Sequence, residues 1–250
     1  MIPHDARFVE LAGAHNFRDL GGLPTRDGAT TRTGVLYRSD ALHHLEPRDV
    51  DRLAELGMRT VVDLRSSAEL EQSGRGPLEA TEIDFVHAPL SHSDQGVHVL
   101  PPSLVDGDLG HHYVASLADR TETLAEVITC LASPRHLPAV FHCTAGKDRT
   151  GMVAALVLSL VGVDDHVIVE DYTLTDDRMA LVMGKIRATG GVSELPEAVA
   201  ARVARAEASS METFLDGLGR EHGGAAGWAR AAGIDDAVIT SLHDALVDAG

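Results

Sequence analysis

The segment Phe141–Gly151 reads FHCTAGKDRTG and concentrates reactive residues that this chain uses sparingly elsewhere. Only two cysteines and two lysines occur in 250 residues, yet Cys143 and Lys147 stand within one short loop, followed by Asp148, Arg149 and Thr150. The apolar AVFH before it reads as a buried strand and the apolar GMVAALVLSLVG after it as a helix. A tight loop entering a helix turns backbone N–H groups into one small hollow, and the helix N-terminus adds positive potential. Gly146, with the small Thr144 and Ala145, lets the backbone curl closely. The result is an anion cradle about the size of a phosphate. A cysteine at its base is placed where thiols ionise readily, which makes Cys143 a nucleophile. The planar fork of Arg149 can grip two phosphoryl oxygens. The Thr150 hydroxyl can hydrogen-bond the sulfur or help it leave a phospho-cysteine, and His142 can order the loop from behind. The competing reading, Cys143 as a small apolar residue at a strand end, leaves Lys147, Asp148 and Arg149 unexplained.

The elements that must position this loop are those of an α/β domain. FVELAGAHNFRDLGGLPTRDG reads as short strands joined by turns, and GVLYRSDAL as another strand. EPRDVDRLAELG is a helix with Pro47 in its first turn and Gly57 at its end. MRTVVDLRS is a buried strand of the parallel type and IDFVHAPL a further one, so the order implies a βαβ unit. Ser91–Gly110 reads as a long loop of the kind that forms lids. One helix is predicted over His112–Leu131, with Cys130 on its apolar stripe as core, not as a redox partner of Cys143. The helix after the loop is predicted to begin near Arg149, and the rest of the chain is mostly helical. The expectation is one domain over 1–250: a central, mostly parallel sheet flanked by helices, with a helical C-terminal half and a helical lid or insertion within 172–225.

The pattern His-Cys-x-x-Gly-Lys-Asp-Arg-Thr-Gly resembles the signature of the cysteine-dependent tyrosine and dual-specificity phosphatases, in their bacterial branch. NFRDLGG, YRSDAL, TVVDLRS and DYTLT are similar to that family in the same order, so the likeness runs from about Phe8 to the C-terminal helix. It implies a phosphatase-like fold and hydrolysis of phosphomonoesters through a phospho-cysteine, on phosphotyrosine with spill-over to phosphoserine, phosphothreonine and phosphoinositides. It implies Cys143 as nucleophile, Arg149 as phosphoryl clamp and Asp148, inside the signature, as the proton donor. Asp94, Asp106 and Asp108 in the long loop are the rivals for that role. Thr144, Ala145, Gly146 and Thr150 are expected to line the substrate's phosphate. Lys147 is expected to project from the rim toward a second phosphate or a carboxylate. Asp63 with Arg65 are read as orienting charges, and Arg18, Asp19, Arg38 and Asp40 as turn-stabilising ones.

Composition narrows the partners. A formal net charge of −17 argues against nucleic acid as a partner and requires a local field to draw an anionic substrate. The two cysteines form no disulfide framework, and the fourteen histidines show no zinc spacing, so neither a metal nor another cofactor is expected. No apolar run reaches the roughly 18 residues of a membrane span. The first residues have no signal-peptide pattern, which gives a cytoplasmic expectation. A phosphate-binding pseudo-enzyme and a rhodanese-type sulfurtransferase are the alternatives. The first would lack Cys143 or Arg149; the second fits poorly with the loop's length and its Arg-Thr-Gly ending.

Overall fold

The structure, a computed structural model, describes residues 4–90, 109–188 and 204–248. Five strands form one sheet: β1 (Arg18–Asp19), β2 (Leu36–Ser39), β3 (Thr60–Asp63), β4 (Asp84–His87) and β5 (Ala139–His142). Their spatial order is β1-β2-β5-β3-β4, with β1 antiparallel to β2 and every other pair parallel. The expected mostly parallel sheet with flanking helices is therefore present.

Parallel strands covered on both faces read as continuous apolar runs, and the burial pattern explains why these do. Along β5, Ala139 and Phe141 enter the larger core while Val140 faces the smaller one. Val62 and Val61 of β3 divide the same way, as do Leu36 and Tyr37 of β2. The smaller core is closed by α1 (Pro47–Glu55), through Leu53, and by Leu11 and Phe17 of the N-terminal segment. Burying one such side chain contributes about 1.5–3 kcal/mol.

The larger core carries α3 (Leu109–Asp119), α4 (Thr121–Leu131), α5 (Asp148–Leu160), α6 (Asp165–Ala188), α7 (Ala208–His222), α8 (Ala225–Ala231) and α9 (Asp236–Leu246). Helix α2 (Ser67–Ser73) follows β3. Helix α5 is buried from Thr150 to Leu158, as its nearly unbroken apolar sequence requires.

Three expectations need correction. The single helix over His112–Leu131 is two, because Arg120 leaves helical geometry at φ −125°, ψ 18° and the Thr121 hydroxyl bonds the Leu117 carbonyl. Its start is also earlier, at Leu109, so Gly110 is helical and does not close a loop. Arg18 and Arg38 are no turn charges, since both side chains are buried, whereas Asp19 braces turns through the Gly21 and Gly34 N–H groups and Asp40 through those of His15 and Asn16. The remainder of the expected long loop, with Asp94, Asp106 and Asp108, and residues 189–203 of the expected lid range lie outside the described residues.

Arg18 belongs to an ion cluster behind β2 and β5. Asp171 of α6 receives Arg7 at 2.8 Å, Arg18 at 3.2 Å and Arg38 at 2.8 Å, and all four are buried. Burial alone would raise the Asp171 carboxyl, but Arg18, Arg38 and Arg7 hold it well below the usual carboxylate range. For Arg18 the balance runs the other way: burial and the charge of Arg38 pull it down to about 9, against the pull of Asp171. One carboxylate thus carries three guanidiniums. Asp171→Asn should cost about 3–5 kcal/mol, because it strands buried charge. Urea denaturation at neutral pH measures this; a loss below about 1 kcal/mol would show that the cluster does not anchor the fold.

Candidate active site

Parallel register brings Ser39, Asp63 and His142 side by side at the carboxyl edge of the sheet. The segments leaving all three strands meet there, in the crevice where open α/β sheets bind ligands. The Cys143–Lys147 loop lies between β5 and α5.

Its carbonyls are tied from outside. His142 Nδ1 lies 3.0 Å from the Cys143 oxygen, the Ala41 N–H donates to Thr144 at 3.1 Å, and Asn16 Nδ2 reaches Ala145 at 3.4 Å. The Gly146 oxygen accepts from Asn16 at 3.2 Å and from Arg38 at 2.9 Å. In a trans peptide the next N–H points opposite to the carbonyl. The N–H groups of Thr144, Ala145, Gly146 and Lys147 therefore point away from these tethers, to the other side of the loop. Helix α5 adds its own first-turn N–H groups, which no side chain caps. Gly146 is required at its position: φ is +69°, and a Cβ would lie 2.5 Å from the Ser39 oxygen.

Cys143, the first residue of this loop, is buried, with 2% of its surface exposed. The Thr150 hydroxyl is buried and has no hydrogen-bond partner among the described residues. His142 is buried against Asp63, and burial holds its imidazole below the ordinary value, so the neutral ring ties the loop through Nδ1. Asp63 also takes Arg65 at 2.6 Å, which places this pair as orienting charges.

Arg149 is gripped by a residue that the sequence reading missed. Its Nη1 and Nη2 meet the two Glu69 carboxylate oxygens at 2.6 and 2.9 Å, and Nη2 lies 3.3 Å from the Thr144 hydroxyl. These contacts commit the Nη end of the fork to Glu69 and Thr144. Glu69 is itself aimed by a helix cap: Ser66 Oγ accepts the Glu69 N–H, and a Glu69 oxygen accepts the Ser66 N–H. The signal was in the sequence, since Ser66-x-x-Glu69 after a buried strand is a capping box. Burial would raise the Glu69 carboxyl, but Arg149 and the Thr144 hydroxyl bring it down to about 2. Against the cost of burial, Glu69, then Cys143 and Asp148, push the Arg149 guanidinium upward.

Asp148 is the first residue of α5, with a side chain 36% exposed. One oxygen, Oδ1, accepts the Tyr113 hydroxyl and lies 3.4 Å from Lys147 Nζ. Lys147 departs from expectation: its side chain is buried, and Nζ donates to the Arg205 carbonyl at 3.1 Å. The approach of the chain at Arg205 covers the ammonium and keeps it from projecting over the rim. Beside the loop, His43, His44, Arg65, Glu69, Thr144 and Lys185 line a cavity of about 300 Å³. Burial, together with His44, Arg65 and Lys185, lowers His43 to about 3, so its ring is neutral.

The family model for the tyrosine phosphatase family matches residues 9–248, nearly the whole chain. This chain belongs to the tyrosine phosphatase family. Among its phosphatase relatives is the triple specificity protein phosphatase PtpB of Mycobacterium tuberculosis, 30% identical, with 95% of this chain and 98% of that one covered. A tyrosine-protein phosphatase of Nostoc commune is 28% identical, over 92% of this chain and 81% of the relative. Among solved structures, the core catalytic domain of the PP-IP phosphatase SIW14 from S. cerevisiae aligns at 18% identity over 66% of this chain and 78% of that one, with a TM-score of 0.40. Among the described residues of this phosphatase, no group of three His, Cys, Asp or Glu side chains is placed to hold a metal ion, and no helix is long and apolar enough to cross a membrane.

Glu69 generates a pH test. Its folded value lies near 2 against an ordinary 4.5, so the pairing is fully present above about pH 4.5 and is lost as pH falls toward 2. It is worth about 3 kcal/mol at neutral pH. Glu69→Gln should be less stable at pH 7 and should lose less stability than the parent on acidification through that window. Parallel stability–pH curves for the two proteins would rule the pairing out as a stabilising element.

Proposed function

We propose that this phosphatase hydrolyses phosphotyrosine through a phospho-cysteine, with further activity on phosphoserine, phosphothreonine and phosphoinositides. The observation that carries this reading is the tethering of four consecutive loop carbonyls from one side, which turns four N–H groups to the other side of the loop that Cys143 opens. A preorganised set of donors around a nucleophile favours the charge of a transferring phosphoryl group. The breadth of substrate is supported by family membership and by the likeness to the mycobacterial relative, a triple specificity phosphatase.

The roles follow from chemistry and placement. Cys143 sulfur attacks phosphorus as the ester P–O bond breaks, and Asp148 hands its proton to the leaving oxygen. The N–H groups of Thr144, Ala145, Gly146 and Lys147 and the Nε edge of Arg149 hold the phosphoryl oxygens. Water then attacks the phospho-cysteine, Asp148 takes a proton from it, and the sulfur leaves as thiolate beside the Thr150 hydroxyl. Lys147 serves the site through its backbone and through Asp148, not as a rim contact for a second phosphate. No step draws on a cofactor.

Phosphate release from phosphotyrosine peptide, phosphoserine peptide and phosphoinositide vesicles at about pH 6, with chelator present, tests the reading. Turnover should survive the chelator and fall by at least about 10⁴-fold in Cys143→Ser, the scale seen when an activated nucleophile is removed. Tight phosphopeptide binding without turnover by the parent protein would instead make it a binding module, and sulfur transfer from thiosulfate a sulfurtransferase.

A further inference from the structure

Asp148 does not stand alone. The Tyr113 hydroxyl of α3 donates to its Oδ1 and lies 2.9 Å from the Tyr172 hydroxyl of α6. A phenol has one proton. Since Tyr113 spends it on Asp148, the bond between the two tyrosines must run from Tyr172 to Tyr113. The chain is Tyr172 to Tyr113 to Asp148, and both rings are fully buried. Burial, then the charge of Asp148, raises Tyr113 well above the ordinary phenol value, so it stays a donor throughout the working range of the enzyme.

Packing fixes this relay. The Tyr113 ring meets Tyr172 and Phe214 edge-on, with centroids 6.4 and 6.2 Å away. Gly151 leaves room for the second tyrosine: a Cβ there would stand 3.0 Å from the Tyr172 ring. The last glycine of FHCTAGKDRTG thereby holds open the place of a ring two hydrogen bonds from Asp148. Lys147 Nζ approaches the same oxygen as Tyr113, at 3.4 Å. With both donors on Oδ1, the acid's proton belongs on Oδ2.

The geometry points to Tyr113 and Tyr172 as positioning residues for proton transfer: they hold Oδ1 of Asp148 so that Oδ2 delivers the proton to the leaving oxygen. This rests on the reading of Asp148 as the acid. As the ester P–O bond breaks and the S–P bond forms, the Oδ2–H bond breaks and the leaving oxygen gains its hydrogen. The carboxylate left behind is stabilised by the Tyr113 hydrogen bond.

A leaving-group series tests the relay. For the full chain, kcat/KM is measured with p-nitrophenyl, phenyl and alkyl phosphates, alongside inhibition by inorganic phosphate, for the parent, Asp148→Asn, Tyr113→Phe and Tyr172→Phe. A proton donor matters most when the leaving oxygen is basic. Asp148→Asn should lose about 10²-fold or more on phenyl phosphate and much less on p-nitrophenyl phosphate. Tyr113→Phe should lose about tenfold on phenyl and alkyl esters, about twofold on p-nitrophenyl phosphate, and keep its phosphate inhibition, as one lost hydrogen bond to a charged group predicts. Tyr172→Phe should show the same tilt at a smaller size, and it decides the matter if Tyr113→Phe does not fold. Equal losses on all esters, weaker phosphate inhibition in step with activity, or no loss would overturn the relay. A flat response of Asp148→Asn would overturn the acid assignment itself, and a steep one beside flat tyrosine variants would overturn the relay alone.

Discussion

Everything at the site depends on which way one short stretch of backbone faces. The peptide groups from Cys143 to Gly146 have their carbonyls held from behind by His142, Ala41, Asn16 and Arg38. Because the peptide is rigid and trans, fixing the oxygens fixes the N–H groups on the other side. Left to itself, such a loop would spread those donors among conformations and toward water. The tethers remove that freedom before a ligand arrives, which is the essence of electrostatic preorganisation.

Behind the tethers lies the cluster of Asp171 with Arg7, Arg18 and Arg38. Arg38 belongs to both, reaching Asp171 through Nη1 and the Gly146 carbonyl through Nη2. Asn16 is likewise shared, since it receives Arg18 and donates to the loop. The cluster holds more guanidinium than carboxylate directly beneath the cradle. In a chain of net charge −17, the three guanidiniums on one carboxylate are a local excess of positive charge.

Local helix signals also place side chains beside the loop. Glu69 closes the capping box of α2 and, with the same carboxylate, grips Arg149. Asp148 lies in the first turn of α5, where a carboxylate suits the helix dipole, and is at the same time met by Tyr113. In both cases a preference that acts within a few residues sets a side chain in place for a partner more than thirty positions away.

The local part of this protein follows from short stretches of its chain. The strand–loop–helix junction, the glycine at 146, the place of Cys143 at the start of the loop, the parallel strands and most helices follow from apolar periodicity, turn residues and spacing, all of which act over a few neighbouring residues. Even the motifs away from the loop were visible, as NFRDLGG, YRSDAL and DYTLT. What they do was not visible. Arg18 read as a turn charge and proved to be a buried partner of Asp171. Lys147 read as a rim contact and proved to be covered near Arg205. Glu69 and Tyr113 went unnoticed as site residues, although Ser66-x-x-Glu69 was legible as a cap. These matters depend on contacts between distant parts of the chain. Pairings between residues 75, 80 or 153 positions apart depend on how the sheet orders its strands and how the helices cross. Long side chains such as arginine, lysine and glutamate reach any neighbour the packing supplies, so their partners are set by the fold and not by their neighbours in sequence.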